Sequence, residues 1–485
     1  MRTLLSILFF LSISGPLVLG SVCTLSADEF QPEARSLYIE GYTDQLSYQP
    51  GETVGFHVST TAPKWSLDIS RLGAKNETLL TKSDLVGAAH AVPANASSHG
   101  CRWPVSYELK VPDNWHSGYY EVTLKASDNG GEFTGRGRRT AEAKLFFVVR
   151  PAKPGVKSKI LLQLTTNTYN AYNNWGGHSL YAFHARSKLQ GTRVSFDRPL
   201  AGFFRQWELP FVAWAERQGY TLDYAVNSDL EVRPAMLKAY KLVLSVGHDE
   251  YWSAPMRDHL EAFIQAGGNV AFFSGNTCCW QVRSEESGRA LLCYKQAFVL
   301  DPLFPTKDHR LLATLWSHHL VARPENELTG VGFLYGGYHR SHGQFMEGEA
   351  AFTVHQPDHW LFAGTSLKRG DKFGGKNTIV GYECDGCQME WDGGVPRPTH
   401  RDGTPESFVI LGTCPARWHA DDALWYDRFP RDADGAPITG AAVMGVYTRG
   451  GTVFTAGTTD WSHGLTGDDP IVEQITRNLL ERLGK

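Results

Sequence analysis

The sequence has little excess charge of either sign. Its 47 Lys and Arg residues nearly balance 51 Asp and Glu residues, which gives a net charge of −4 with neutral histidine. A nearly neutral chain lacks the basic surface that binds nucleic acid or an anionic membrane, so neither partner is expected. The sequence also lacks an internal repeat and a low-complexity tract, so a repeat architecture is not expected either.

Further absences limit the chemistry. The chain has no GxSxG motif, and no cysteine stands at a predicted strand-to-helix turn beside a histidine partner. The usual signs of a covalent hydrolase are therefore missing. A second CxxC pair is also missing, so a zinc site at Cys384-Asp-Gly-Cys387 is the weaker interpretation of that motif.

The first 20 residues have the layout of a secretory signal peptide. Arg2 precedes an apolar run from Leu4 to Ile13, and small residues follow around Gly20. The apolar run is too short to span a membrane. We therefore predict a secreted or periplasmic protein with no membrane attachment after cleavage. Export makes disulfides the expected state of the eight cysteines, in a pairing that the sequence does not reveal.

The remaining 465 or so residues are too many for one core, so two or three domains are expected. Residues 33–150 contain short runs of alternating apolar and polar residues, such as SGYYEVTLKAS and AKLFFVVRP, separated by Pro, Gly and Asn turns. Strands at this spacing predict an all-β, immunoglobulin-like sandwich of about 100 residues.

Residues 156–485 have a different pattern, in which strands and helices alternate. Strands are predicted at 159–164, 222–226, 242–246 and 270–273, with helices at 209–218 and 230–239. This order predicts a doubly wound, mostly parallel α/β sheet. Alternation is lost over about 281–439, which we interpret as an irregular insertion that walls a site. Strands at 443–447 and 452–456 and an amphipathic helix at 470–483 complete the prediction.

The stretch from residue 241 to 276, KLVLSVGHDEYWSAPMRDHLEAFIQAGGNVAFFSGN, is the most informative one. Two apolar strands flank a helix, and polar residues follow each strand: His248, Asp249 and Glu250 after the first, and Asn276 after the second. Because ligands bind at the carboxyl edge of an open α/β sheet, these side chains are expected to meet at one rim. Taken singly, Asp249 is explained as a cap of the following helix. The density of polar groups favours a functional site.

The residue types at this rim suit metal chemistry. Carboxylate and phenol oxygens are hard ligands for a divalent or trivalent metal, and His248 can serve as ligand, base or proton shuttle. A metal polarises a carbonyl and acidifies water, which the hydrolysis of an unactivated bond requires.

Several motifs resemble one known family. The motifs are NTYNAYNNWGG at 167–177, GHDEYWS at 247–253, GGNVAFFSGN at 267–276 and GTTDW at 457–461. They are similar to the large subunit of N,N-dimethylformamidase and its relatives, from residue 159 to the C-terminus and in the earlier SGYYEV strand. The resemblance implies a glutamine-amidotransferase-like fold for the α/β core. It also implies a mononuclear iron, held by two tyrosines and one glutamate, at a site that hydrolyses a substituted formamide.

The resemblance also assigns roles to individual residues. His248 matches the catalytic histidine, and Asn276 matches an asparagine that orients the substrate. Phenolate and carboxylate oxygens stabilise ferric iron, so the implied ligand set is chemically coherent. The ligands implied by the resemblance are Glu250, Tyr120 and either Tyr169 or Tyr172.

Three functions stay open on the sequence. The first is an exported, iron-dependent hydrolase of a small N-substituted amide, with a homo-oligomer as one allowed assembly. The second is a non-catalytic exported binding protein, with a degenerate amidotransferase-like domain and a sandwich that holds a glycan or a partner. The third is a metal-free hydrolase with a His248–Glu250 dyad. A Tyr120 oxygen beside Glu250 would favour the metal site, because a buried phenol and carboxylate at ligand spacing need a cation or a shared proton.

Overall fold

The structure, a computed structural model, describes residues 37–128, 139–184, 188–341, 344–346, 348–418 and 440–485. The predicted signal peptide and Cys23 lie outside the described residues. No helix in these ranges is long and apolar enough to cross a membrane.

The described part of the N-terminal region consists of eight strands and one short helix. They are β1 (Ile39–Thr43), β2 (Ser47–Tyr48), β3 (Thr53–Thr60), β4 (Lys64–Leu72), β5 (Glu77–Val86), α1 (Ala96–His99), β6 (Tyr107–Lys110), β7 (Gly118–Asp128) and β8 (Arg139–Val149).

These strands form two sheets that share one core. One sheet has the order β1-β3-β6, and the other has the order β2-β8-β7-β4-β5. Phe56 of the first sheet packs in the same apolar cluster as Ile69, Val122 and Phe147 of the second. The region is therefore a two-layer β-structure, and its immunoglobulin-like class stays a prediction.

The second region begins with the strands and helices that carry the candidate site. They are β9 (Ile160–Leu164), α2 (Thr166–Tyr172), β10 (Arg193–Ser195), α3 (Glu208–Arg217), β11 (Asp223–Val226), α4 (Asn227–Val232), β12 (Leu242–His248), β13 (Tyr251–Ser253), α5 (Ala254–Gln265) and β14 (Asn269–Gly275).

Shorter strands follow, and two helices end the chain. They are β15 (Trp280–Glu285), β16 (Ala290–Leu292), α6 (Asn326–Thr329), β17 (Gly332–Gly337), β18 (Arg340–Ser341), β19 (Gln344–Phe345), β20 (Phe352–Val354), β21 (Lys372–Phe373), β22 (Cys384–Gly386), β23 (Met389–Asp392), β24 (Val395–Pro398), β25 (Val409–Ala416), β26 (Gly440–Arg449), β27 (Gly451–Thr455), α7 (Ser462–Thr466) and α8 (Pro470–Leu483).

A nine-stranded sheet organises this region, in the order β11-β9-β12-β14-β27-β26-β25-β20-β21. The first five strands are parallel, and the strands from β27 to β21 pair antiparallel. Strands β20, β21 and β25 come from the segment predicted as an irregular insertion. Part of that segment therefore extends the sheet. These strands lack the alternation with helices by which the sequence predicts the earlier strands.

Helices cover both faces of the parallel half. Alternate residues of a strand point to opposite faces of a sheet. On one face Leu244 and Phe273 pack with residues of α3 and α8. On the other face Val243 and Phe272 pack with residues of α4 and α5. A sheet buried on both faces explains why β12 and β14 read as continuous apolar runs. Its glutamine-amidotransferase-like class stays a prediction.

Three local expectations differ from the structure. The loop predicted after β9 is largely helical, since Thr166–Tyr172 form α2. The helix predicted at 230–239 divides into α4 and a 3₁₀ turn at Pro234–Ala239, because proline cannot continue an α-helix. Asp249 does not cap α5, because Ser253 accepts the hydrogen bond from the Met256 amide.

The disulfide prediction is wrong for the seven described cysteines, all of which are free and buried. The side chains of cysteines that are close in sequence lie in different apolar clusters. Cys278 lies in the apolar cluster with α5, whereas Cys279 lies in the cluster with α3. Cys384 and Cys387 are divided between the same two clusters.

The β-sandwich packs against the α/β region through stacked rings and an ion pair. Tyr119 of β7 stacks on Phe204, with ring centroids 3.9 Å apart. Phe146 of β8 meets Tyr169 of α2 edge-on at 5.8 Å. Arg205 donates two hydrogen bonds of 2.8 Å to Glu121. The sandwich therefore supports α2, which lies beside the candidate site.

Gly247 allows a close approach to the end of β12. It has a φ of +86°, and a Cβ at this position would lie 2.3 Å from the Trp207 Cβ. We expect Gly247→Ala to lower the melting temperature because it adds overpacking of about 1–3 kcal/mol to about 1–2 kcal/mol of left-handed strain. Scanning fluorimetry would measure the change.

Gly219→Ala is the matched control for that variant. Gly219 has the same φ of +86° but no atom within 4 Å of the added Cβ. Its loss should reflect backbone strain alone and should be clearly smaller. Equal losses in the two variants would contradict the packing of Trp207 against Gly247.

Candidate active site

Glu250 is the centre of the candidate site. It lies between β12 and β13 and is 3% exposed. Its backbone N–H donates to Thr168 Oγ1 of α2 at 2.9 Å, and its carbonyl accepts from the Trp280 amide at 2.9 Å. The backbone on both sides of Glu250 is thus fixed by hydrogen bonds that do not involve the Glu250 side chain.

Three side chains donate to the Glu250 carboxylate. Tyr181 Oη is 2.9 Å from both oxygens, Tyr172 Oη is 3.1 Å from Oε2, and Trp280 Nε1 is 2.8 Å from Oε1. Burial alone would raise the pKa of Glu250, but His248, Lys295 and the Tyr181 hydroxyl hold that pKa below its usual value. The site therefore keeps an anionic carboxylate out of contact with water.

A buried ammonium lies beside the phenols. Lys295 Nζ is 3.2 Å from the centroid of the Tyr181 ring, and it lies 4.9 Å from the Trp280 ring and 5.2 Å from the Tyr251 ring. Among the described residues, the Lys295 ammonium has no hydrogen-bond acceptor. Burial lowers the pKa of Lys295 to about 8, a shift that Glu250 opposes. Its charge is compensated by the ring faces and by Glu250.

The phenols are neutral in this environment. Burial and the Glu250 charge raise the pKa of Tyr172 and of Tyr181 well above the ordinary value. The two rings are 4.2 Å apart, and Tyr251 Oη donates to Tyr181 Oη at 2.6 Å. A bound cation of high charge would reverse the effect on their ionisation, because it favours the phenolate.

His248 lies between two carboxylates. Its Nε2 is 2.6 Å from Glu383 Oε2 and 3.3 Å from Glu250 Oε2. Both distances are within the range of a charge pair with a protonated imidazole. Burial would lower the pKa of His248, but Glu383 and Glu250 raise it to about 10. The imidazole is therefore held as a cation between the two carboxylates.

Asn276 follows β14 at the same edge, with a φ of +50°. Asp385 of β22 holds this turn, because its two oxygens accept the Asn276 and Thr277 amides at 2.9 and 3.1 Å. The Asn276 side chain donates from Nδ2 to Glu383 Oε2 at 3.2 Å, while its buried Oδ1 has no hydrogen-bond partner in the part of the chain that the structure describes. The amide thus has an acceptor free for another molecule.

The structure corrects the expected position of Tyr120 and separates the alternatives Tyr169 and Tyr172. Tyr120 Oη donates to the His116 carbonyl at 2.7 Å, and its ring stacks on Trp115 in the sandwich core. Tyr120 is therefore not brought to Glu250. Because residues alternate along β7, Tyr119 and not Tyr120 faces the α/β region. Tyr169 Oη donates to Glu208, so Tyr172 is the member of that pair that reaches the site.

A family model described as N,N-dimethylformamidase beta subunit-like, C-terminal, matches residues 66–475. The chain belongs to this family.

The dimethylformamidase-like chain has two similar curated relatives. Both are N,N-dimethylformamidase beta subunits, one from Paracoccus aminophilus and one from Alcaligenes sp, and each is 25% identical over 38% of this chain. The matched part spans 28% of the length of either relative. A solved β-D-glucuronidase from Dictyoglomus thermophilum matches 49% of this chain and 44% of its own at 7% identity and a TM-score of 0.16, which carries no argument.

Sequence reasoning about this dimethylformamidase-like protein missed four residues that contact the site: Tyr181, Trp280, Lys295 and Glu383. Glu383 lies within the YECDGC run, whose polar and aromatic character was visible but gave no position in space. Tyr181 has no motif around it. Within the described residues, no group of three or more His, Cys, Asp and Glu is placed to bind a metal. The oxygens around Glu250 come from tyrosines instead.

Glu208, which binds Tyr169, should make stability depend on pH. Burial raises the pKa of Glu208 from 4.5 to about 7. A carboxyl with a raised folded pKa holds its proton better when folded, so its contribution to the unfolding free energy falls as pH rises from about 4.5 through 7. Glu208→Gln cannot ionise and should lose this dependence. Melting temperatures at pH 5 and pH 8 would measure the difference between wild type and variant.

Asp84→Asn is the control, because Asp84 is exposed on β5. Its melting temperature should follow that of the wild type at both values of pH. A Glu208→Gln variant that also follows the wild type would contradict the raised pKa.

Proposed function

We propose that the protein is an iron-dependent hydrolase that cleaves the C–N bond of an N-substituted amide. Membership of the dimethylformamidase-like family supports an amide substrate. The observation that carries the proposal is the convergence of two phenols on one buried carboxylate, Tyr172 and Tyr181 on Glu250. The proposal includes export, on the strength of the sequence of residues 1–20.

The oxygen spacing fits a small metal ion. First-row metals bind oxygen at about 2.0–2.2 Å, so neighbouring ligands in their shell are about 2.8–3.1 Å apart. The phenol-to-carboxylate distances are 2.9 and 3.1 Å. Tyr172, Tyr181 and Glu250 would therefore hold the iron, with Tyr181 in place of Tyr120. Iron would supply the Lewis acidity that polarises a carbonyl and acidifies water.

His248 and Glu383 are placed to move protons. An amine leaves an amide only if it is protonated as the C–N bond breaks, and the His248 Nε2 proton is available for this step. Glu383 lies 2.6 Å from that nitrogen. It can take the proton that the attacking water loses and return it to His248. The pair thus completes one cycle without a net change in protonation.

Asn276 is placed to orient the substrate. Its side chain is anchored by a hydrogen bond to Glu383, and its backbone is held by Asp385. The remaining N–H of Nδ2 can donate to a substrate carbonyl, and Oδ1 can accept an N–H. Donors fixed before the reaction stabilise a developing oxyanion without reorganisation.

Iron content distinguishes the tyrosines proposed as ligands, Tyr172 and Tyr181, from the tyrosines that lie away from Glu250. We expect stoichiometric iron and a tyrosinate-to-iron charge-transfer band in the wild type, and neither in Glu250→Ala. Tyr172→Phe and Tyr181→Phe should each lose or shift the band because each removes one ligand oxygen. Plasma mass spectrometry and visible absorption measure these outcomes.

Tyr120→Phe and Tyr169→Phe are the matched controls, because both remove a buried phenol oxygen away from Glu250. They should retain iron and the band. No iron in the wild type after iron-supplemented expression would favour the alternative, a non-catalytic binding protein.

His248→Ala should separate proton transfer from metal binding. We expect it to retain iron while kcat falls by about 10²–10⁴-fold, the usual contribution of a general acid. His99→Ala, at an exposed histidine that ends α1, should match the wild type. Loss of iron from His248→Ala would instead give His248 a role in holding the metal.

A further inference from the structure

Three aromatic rings surround His248. The ring centroids of Trp207, Tyr172 and Tyr382 lie 5.5, 5.6 and 5.9 Å from that of the imidazole. Trp207 and Tyr382 both meet it nearly at right angles, at 77° and 82°. Any group bound next to Nε2 therefore has ring surfaces as neighbours.

The aromatic surface continues beyond these three rings. Phe203 lies 6.0 Å from Trp207 and 5.9 Å from Tyr172, and Tyr338 lies 6.2 Å from Tyr382. Tyr172, Phe203, Tyr338 and Tyr382 are only partly buried, whereas His248 is 2% exposed. The rings thus form a surface that leads from the buried imidazole to more accessible positions.

The polar groups beside Trp207 are paired with one another among the described residues. Asp460 accepts the Trp207 Nε1 hydrogen bond at 3.2 Å, and it also pairs with Arg340 at 2.9 Å. The Trp207 donor and the Asp460 charge are therefore both satisfied. A neutral planar substituent would find ring faces and edges here.

We propose that the substrate carries an aromatic ring on its amide nitrogen, which packs against Trp207, Tyr172 and Tyr382. The inference rests on the proposed function, because it uses the step in which His248 protonates the leaving amine. That step brings the nitrogen to His248 Nε2, so the substituent on the nitrogen must lie among the rings that flank the imidazole. A methyl group would leave most of this surface without contact.

The test compares N-phenylformamide with N,N-dimethylformamide. The dissociation constants of both are measured with the iron-loaded protein by ligand-detected NMR titration, and kcat/KM is measured for both. We expect N-phenylformamide to be preferred by about 10- to 100-fold in binding and in kcat/KM, the range that a few apolar contacts provide in a pocket.

Variants at Tyr382 assign that preference to the ring. Tyr382→Ala should reduce the ratio of the two dissociation constants several-fold, and Tyr382→Phe should restore it because the ring is kept. Trp391→Ala removes a ring that is 60% exposed and that lies outside this surface, and it should leave the ratio unchanged.

The two readouts separate this inference from the function on which it rests. Tighter binding of N-phenylformamide that depends on the Tyr382 ring supports the inference even if neither amide is hydrolysed, an outcome that would overturn the hydrolase. Hydrolysis of both amides with equal affinities, or a preference that Tyr382→Ala leaves intact, overturns the inference and leaves the hydrolase in place.

Discussion

The rest of the site depends on a carboxylate that has been removed from water. An ionised glutamate in the interior is costly unless donors and positive charge replace its hydration. Glu250 obtains these from Tyr172, Tyr181 and Trp280 and from the charges of His248 and Lys295. The donors come from separate parts of the chain. The need to satisfy one buried charge therefore brings together α2, the segment after it, β15 and the turn after β16.

Two further carboxylates, Asp385 and Glu383, position the other half of the site. Asp385 holds the backbone of the Asn276 turn, and Glu383 contacts the Asn276 side chain and His248. Only Cys384 separates these two acidic residues in sequence, and it bridges to Thr458 at the end of β27. One short strand thus joins the ends of β12, β14 and β27. Burial raises the pKa of Asp385 to about 8, and the charges of Glu325 and Glu383 act in the same direction.

The sequence predicted the part of this arrangement that follows from local rules. His248 and Asn276 end two apolar runs, and such strands pair in parallel, so their meeting at one edge follows from topology. Tyr120 could not be placed in this way, since the alternation of β7 allows either Tyr119 or Tyr120 to face the α/β region. Glu383 and Tyr181 carry no local signal, because their positions depend on how long irregular segments pack. Cys278 and Cys279 show the same limit, since only the folded chain shows that their side chains enter different apolar clusters.

The contact between the β-sandwich and α2 bears on what the smallest stable unit is. The family match begins at residue 66, inside β4, and ends at residue 475, inside α8. Its limits therefore cut through two structural elements. Tyr119 and Phe146 cover Phe204 and Tyr169, so a chain without the sandwich would present an aromatic face beside the helix that carries Thr168 and Tyr172. The matched region thus includes β5 to β8 but not β1 to β3, which pack in the same core, so the structural unit is longer than the match.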